Sequence, residues 1–546
     1  MSTAFVRQLG AESGVQLNPL VDNSEIPTSS NDDQIFGIVM RATRGRIDKP
    51  FKVDRSTVFK KLGKGEQIRT SALNEAWVHV VEALNNGAYE AVVQRLTTPA
   101  AAISWAGLTV TPVTFANAFA VTPTEPTGHL IGVKHLECYN DGIVLEVRAD
   151  EKKVGGVAIA NNVVTLRIRD KDGVLLYEFT GSLDPAARDD YGNSSYLPDV
   201  VLSLTDAVEV SVGVTGASAA IEPTSMAYGY DANGKEQWAK SGTLVCFTEG
   251  GMGYATADYM AARVLLQNTV FNYAYISSGG TQAPVLLAQL AQLAFDTNRQ
   301  LRFDIPGNLN PEAAITFVEQ LNMGASPTAH LMHAFWAPLK SDDPTGVNAK
   351  GHFGVATLNI AYACGRNAQT NAKGFAPKNY VVAGRQWPIQ RVRVTQTYSP
   401  TGQELNALAK AKINPVLFEV YTGGGRYVFR DSLTSALVES SLKKLISVAD
   451  MSTSIDDAVT RFSKDILQLP MQISVKRMND FLGELFAGAE ASGWLVPSND
   501  PSMAGKAFKY DVRPNEVRPY DRMDVSYWLR YDGTVRQIFV TQTLTR

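Results

Sequence analysis

The sequence predicts a multidomain protein of mixed α+β and α/β class: a mixed-sheet core, a β-rich domain inserted into it, and extended arms at both termini. Three observations carry this expectation. Short apolar runs alternate with segments of helical periodicity over residues 34–98 and again over 246–385. Between them, residues 99–245 are dominated by Val, Thr and Ala, punctuated by Gly and Pro, and nearly without helical period. Residues 1–33 are polar and aperiodic, with Pro19, Pro27 and the run Ser29-Ser30-Asn31-Asp32-Asp33, so they read as an extended N-terminal arm. At 546 residues the chain exceeds one ordinary domain, and roughly 100–200 residues per domain gives about three or four.

The elements follow in order. Ile35-Phe36-Gly37-Ile38-Val39-Met40 reads as a buried strand, and Phe51–Val53 as a short second one after a turn at Gly45. Leu73, Trp77, Val80, Val81 and Leu84 share a helical face that Gly87 terminates, and Tyr89 to Leu96 is the next strand. Inside the β-rich domain, Val163–Ile168 and Val174–Phe179 flank Asp170-Lys171-Asp172-Gly173, a hairpin signal. Helices return with Met260, Val264, Leu265 and Val270, then with Pro284 opening a segment that carries Leu287, Leu290 and Phe295. Leu301–Ile305 is a strand, Asn310-Pro311 caps and starts a helix, and His330–Trp336 is a further strand. The last domain, 386–546, is expected to be α+β. Ser454-Ile455-Asp456-Asp457 resembles a capping box, Met478, Phe481, Leu482 and Leu485 form a stripe, and Met523–Arg530 and Val535–Leu544 read as terminal strands joined at Tyr531–Thr534.

Composition excludes several classes. Hydrophobic residues make up 45% and charged residues 19%, ample for several cores. A net charge of −3 offers no general basic footprint for direct nucleic-acid binding. No run of about 18 uncharged apolar residues exists to span a membrane. The first 30 residues lack the apolar segment of a signal peptide, so the expectation is folding in the cytoplasm. Cys138, Cys246 and Cys364 are too scattered for a metal or redox motif.

No catalytic residue, cofactor or metal site is expected. Thr422-Gly423-Gly424-Gly425-Arg426 is the best phosphate-loop candidate, but it leads into the strand-like Tyr427–Arg430 and lacks the Lys and Ser/Thr of a nucleotide loop, so it reads as a hairpin turn. His330 and His333, placed on one strand, would point to opposite faces and not share a metal. Asp32-Asp33 and Asp456-Asp457 read as solvated acids.

Two stretches carry a family resemblance. The first is Gln34–Ala42 with Arg44-Gly45, then Phe59-Lys60-Lys61-Leu62-Gly63, a helix ending at Asn86-Gly87, and Ala91-Val92-Val93-Gln94-Arg95-Leu96. The second is Leu405 to Val416, containing Ile413-Asn414, followed by Gly423-Gly424-Gly425 and Arg426 to Thr434. In this order they resemble the tail sheath proteins of bacteriophages and related injection machines, across about half the chain. The family's N-terminal Pro-Gly-Val-Tyr element is missing, and its Arg-Thr pair reads Arg430-Asp431-Ser432 here, so the resemblance is to a divergent member.

The resemblance implies a structural virion protein, not an enzyme, made in the host cytoplasm and located in the phage tail. Its subunits would stack as hexameric rings in a helical array around a tail tube protein, contacting baseplate and tail-terminator or connector proteins. By contraction they would support genome delivery into a bacterial host. The alternatives are a non-contractile sheath with a receptor-binding role, or a β-rich adhesin. Residues 99–245 are then an outer domain and 386–546 an inner domain ending in a strand-donating arm. Val15 and Leu17 in the first arm, and Val535, Ile538, Val540 and Leu544 in the last, are the residues expected to pair with neighbouring subunits. Residues 506–546 carry eight basic residues against five acidic ones, and Arg513, Arg518 and Arg522 are expected to face the tube or an acidic neighbour.

Overall fold

Eight strands form the central sheet of the computed structural model, which describes residues 31–109, 119–126, 128–150, 153–155, 157–159, 161–213 and 238–543. Across the sheet the order is Phe51–Val53, Glu90–Arg95, Ile35–Met40, Tyr275–Ser277, Gln300–Ile305, Met332–Trp336, Ile413–Tyr421 and Gly424–Phe429. The inner pairings are parallel, and only the two outermost strands run antiparallel to their neighbours. Parallel strands are buried on both faces and therefore need apolar residues at successive positions. Ile35–Met40 meets that need: Phe36, Ile38 and Met40 enter one core, while Ile35 and Val39 enter the other.

Helices cover both faces. Glu75–Asn85 and Ala356–Asn367 pack on the Phe36 side. Thr256–Gln267, Pro284–Thr297, Pro311–Leu321 and Gly402–Lys410 pack on the Ile35 side. The caps obey local chemistry. Asn310 accepts a hydrogen bond from the Ala313 amide, and Thr401 and Glu404 form a reciprocal capping box. At Gly87, φ is +124°, and a Cβ would lie 2.8 Å from the Ala361 carbonyl oxygen, so a side chain there would collide with the neighbouring helix.

The sheet corrects the expected 385/386 boundary. Ile413–Tyr421 and Gly424–Phe429 continue it beyond residue 386. Asn414 fixes this continuation. Its side-chain amide donates to the Ala334 and Leu433 carbonyls at 3.0 and 2.8 Å, and its Oδ1 accepts the Leu433 amide at 2.6 Å.

Between Trp105 and Lys240 lie two four-stranded sheets sharing one apolar core that includes Ile131, Val133, Leu145, Leu166, Ile168 and Phe179. Arginines of the central domain tie this unit down. Arg95 is buried and donates to the Cys138 carbonyl at 2.6 Å and to Asn140 at 2.9 Å. Arg44 holds Asp141 through two bonds, and Arg46 reaches the Asp206 carbonyl at 2.6 Å. The three cysteines are buried and unpaired. Among the described residues, no helix is long and apolar enough to cross a membrane.

Other local expectations are revised. Ser454 starts no helix, because it lies inside Ile446–Asp465, where its hydroxyl donates back to the Asp450 carbonyl. His330 sits in a short 3-10 turn and only His333 is on the strand, its Nε2 lying 3.2 Å from the His330 carbonyl oxygen. The helix expected to reach Val270 stops at Gln267.

Candidate assembly surface

The C-terminal unit is built on two helices, Ile446–Asp465 and Met471–Ala491. One stripe of the first helix, Val448, Met451, Ile455 and Val459, joins Met478, Leu482 and Phe486 of the second in a common core. Its opposite stripe is polar and docks on the central sheet. There the buried Asp450 carboxylate accepts from Arg366 at 2.9 Å and from Arg302 at 3.4 Å. Burial alone would raise the Asp450 pKa, but the two guanidiniums outweigh it and hold the carboxyl at about 2. Thr453 accepts from Gln300 at 3.1 Å, and the buried Lys378 ammonium donates to Ser454.

An antiparallel hairpin covers the two helices: Phe508–Pro514 with Met523–Leu529. Its register places Phe508 opposite Leu529, Tyr510 opposite Tyr527 and Val512 opposite Val525. These pairs face the helices, where the Phe486 ring lies 5.5–5.9 Å from the rings of Phe508, Tyr510 and Tyr527. Lys509, Asp511, Arg513, Ser526 and Trp528 point outward. Neither outer edge of this two-stranded sheet has a strand partner among the described residues. Each edge thus presents a row of backbone donors and acceptors that a further strand could pair with.

The terminal strand expectation is corrected here. Met523–Leu529 pairs backward with Phe508–Pro514, and Tyr531–Thr534 is no hairpin turn. Residues 535–543 form no strand within this chain, although Val535, Ile538, Phe539 and Val540 are 78–89% exposed. A strand needs a hydrogen-bonded partner, and this segment finds none among the described residues. Its root is fixed all the same. Arg536 donates to Asp431 at 2.8 Å, and the Ser447 and Thr534 hydroxyls lie 3.2 Å apart. Asp431, within Arg430-Asp431-Ser432, is thus the residue that holds the tail. Leu544, like Val15 and Leu17, lies outside the described residues.

The expected cations lie at the far end of the hairpin, exposed, and each with a local acid. Arg513 is 3.4 Å from Asp511, Arg518 pairs with Asp521, and Arg522 meets Asp524 at 2.9 Å. This partial neutralisation weakens the basic face read from composition. Gly423 forms part of the turn between Ile413–Tyr421 and Gly424–Phe429, in register Tyr421 opposite Gly424. Asp450, Arg302 and Arg366 escaped sequence reasoning because no spacing links residues that distant.

No protein-family model matches the chain, and no curated protein matches it. Solved structures of similar fold include the sheath tail protein of Desulfitobacterium hafniense, at 14% identity, covering 95% of this chain and 100% of that one with a TM-score of 0.44. The sheath tail protein of Listeria innocua is 13% identical, covers 90% and 94%, and has a TM-score of 0.46. The PVC sheath complex of an extracellular contractile injection system, in its contracted state, is 12% identical over 53% of this chain and 80% of its own, with a TM-score of 0.40. The likeness is one of fold, and the functional reading rests on this chain's own residues.

Proposed function

We propose that this chain is the subunit of a tail sheath, polymerising as hexameric rings in a helical array around a tail tube. It acts in the virion, joins baseplate and terminator or connector proteins at the ends of the array, and supports genome delivery by contraction. The observation that carries this reading is an unfilled pairing: a two-stranded sheet whose strands have no further strand partner among the described residues, beside a tethered, apolar segment at 535–543 that joins no strand among them. A two-stranded sheet is marginal alone, and strands donated by neighbours would complete it with main-chain hydrogen bonds. Donation from one copy to the next is head-to-tail, which produces an open array when the rotation does not close.

The experiment is negative-stain microscopy of the purified chain beside a chain ending at Tyr531. Rings or tubes from the first, and only folded monomers from the second, are expected. Tubes of equal length from both would overturn the strand-exchange basis of the proposal.

A further inference from the structure

The adjacent carboxylates Asp456 and Asp457 lie within the helix Ile446–Asp465 and reach in two directions. Asp457 accepts from Arg299 and from Arg461, each at 2.8 Å. Arg461 extends the chain of charges to Asp32, also at 2.8 Å, joining positions 429 residues apart in sequence. Next to it, the Asp33 carboxylate pairs with the buried Lys378 ammonium at 2.9 Å, and its carbonyl accepts from Asn367 at 2.9 Å. The short turn Asn31–Gln34 is thereby held by groups from three separate segments. Asp456 turns toward the hairpin. It accepts from the Tyr527 hydroxyl and, at 3.2 Å, from the Asn298 side-chain amide. Burial, reinforced by this hydrogen bond to Asp456, raises the Tyr527 pKa and keeps its hydroxyl a donor.

We infer that Asp456 and Asp457 are positioning residues that lock the point where residues 1–30 join the body to the open-edged hairpin. One subunit would then present its N-terminal donor segment and its acceptor sheet at a fixed offset. The purpose of the offset rests on the strand-exchange reading above; the lock itself does not. Two adjacent acids on a helix interior face different sides because successive residues are rotated by about 100°, so this pair can serve two neighbours at once. The arrangement is also releasable. Arg461, Asp457 and Asp32 are 40%, 30% and 21% exposed, so salt screens them more than it does the fully buried Asp450 pairs.

Hydrogen exchange measured by mass spectrometry on the full chain tests the lock directly. In Asp457→Asn, peptides covering residues 31–36 are expected to exchange about three- to tenfold faster, as loss of partly exposed ion pairs allows. Peptides of the hairpin should be unchanged. Asp456→Asn should do the reverse. Raising the salt in the wild-type chain should reproduce part of the Asp457→Asn effect. The paired swap Asp32→Arg with Arg461→Asp removes the Asp457–Arg461 attraction but restores an opposite-charge pair between positions 32 and 461, so it should recover protection over either single reversal. No response of residues 31–36 to Asp457→Asn, to salt or to the swap would overturn the lock. If those residues respond while the wild-type chain forms no arrays, the lock stands and strand exchange fails.

Discussion

The inserted domain and the C-terminal hairpin are both β-structures attached to the same α/β body, yet one is finished within the subunit and the other is not. The inserted domain buries a core between two four-stranded sheets. The end of its edge strand Leu175–Ser182 is engaged by the chain at Ser195 and Tyr196. The hairpin has one packed face, no second sheet and no further strand along either edge among the described residues; only its base, at Arg530–Asp532, is engaged by the chain at Trp494–Val496. A natural edge strand left open invites pairing. The difference teaches that assembly should depend on the region with fewer internal contacts, while the larger insertion serves another end.

The strongest test removes each region. A chain ending at Tyr531 is expected to lose long arrays entirely while keeping its circular dichroism spectrum. Replacing residues 100–245 by a short Gly/Ser bridge should leave arrays visible by microscopy, with the freed Arg44 and Arg95 solvated. Loss of arrays in a folded insertion-deleted chain would reverse the comparison.

Matched core substitutions sharpen it. Phe486 lies under the hairpin and Phe179 in the inserted core, both buried. Truncating either to Ala should cost about 3–5 kcal/mol of local stability by denaturant titration. Only Phe486→Ala should also abolish assembly. Asp450→Asn, at the polar seam beneath the C-terminal unit, should cost about 3 kcal/mol because Arg302 and Arg366 are left without a counter-charge. Its pH dependence has a definite sign. The folded pKa is depressed to about 2, below the ordinary carboxylate value of about 4. Its stabilisation is therefore full above pH about 4 and is lost as the pH falls through about 2. Acid titration of Asp450→Asn should lack that component. At the other seam, Asp141→Ala removes a partner of Arg44 that is 22% exposed and should cost only about 1 kcal/mol.

The smallest effect is expected from Arg518→Glu with Arg522→Glu. Because Asp521 and Asp524 already pair with these cations, the change should slow assembly modestly, and by less as salt shortens electrostatic reach to about 8–10 Å and below. Light-scattering rates that do not vary with salt in either chain would remove these residues from docking.

Local pattern was enough to read much of this molecule. The strand Ile35–Met40, the helix start at Asn310-Pro311, the Val163–Phe179 hairpin and the turn at Gly423 all follow from periodicity, caps and turn residues within a few positions. The capping-box reading at Ser454 failed because a Ser-x-x-Asp pattern is also compatible with a helix interior. There the hydroxyl bonds the Asp450 carbonyl, and the acid is free to reach another element. The strand expected at 535–544 failed for a different reason. Its alternation of Ile538 and Val540 supplies strand propensity, but no strand among the described residues pairs with it.

What the sequence alone determined was therefore the set of elements and the apolar faces they must bury, since those depend on neighbours along the chain. Only the tertiary structure decided which strands adjoin, that residues 413–429 extend the central sheet, and that Asp450, Asp456 and Asp457 bind partners as far as 158 positions away. Charged and hydrogen-bonding side chains carry no periodic signature of their partners. Their pairing is set by where the backbone brings them, and that placement is the work of the apolar cores.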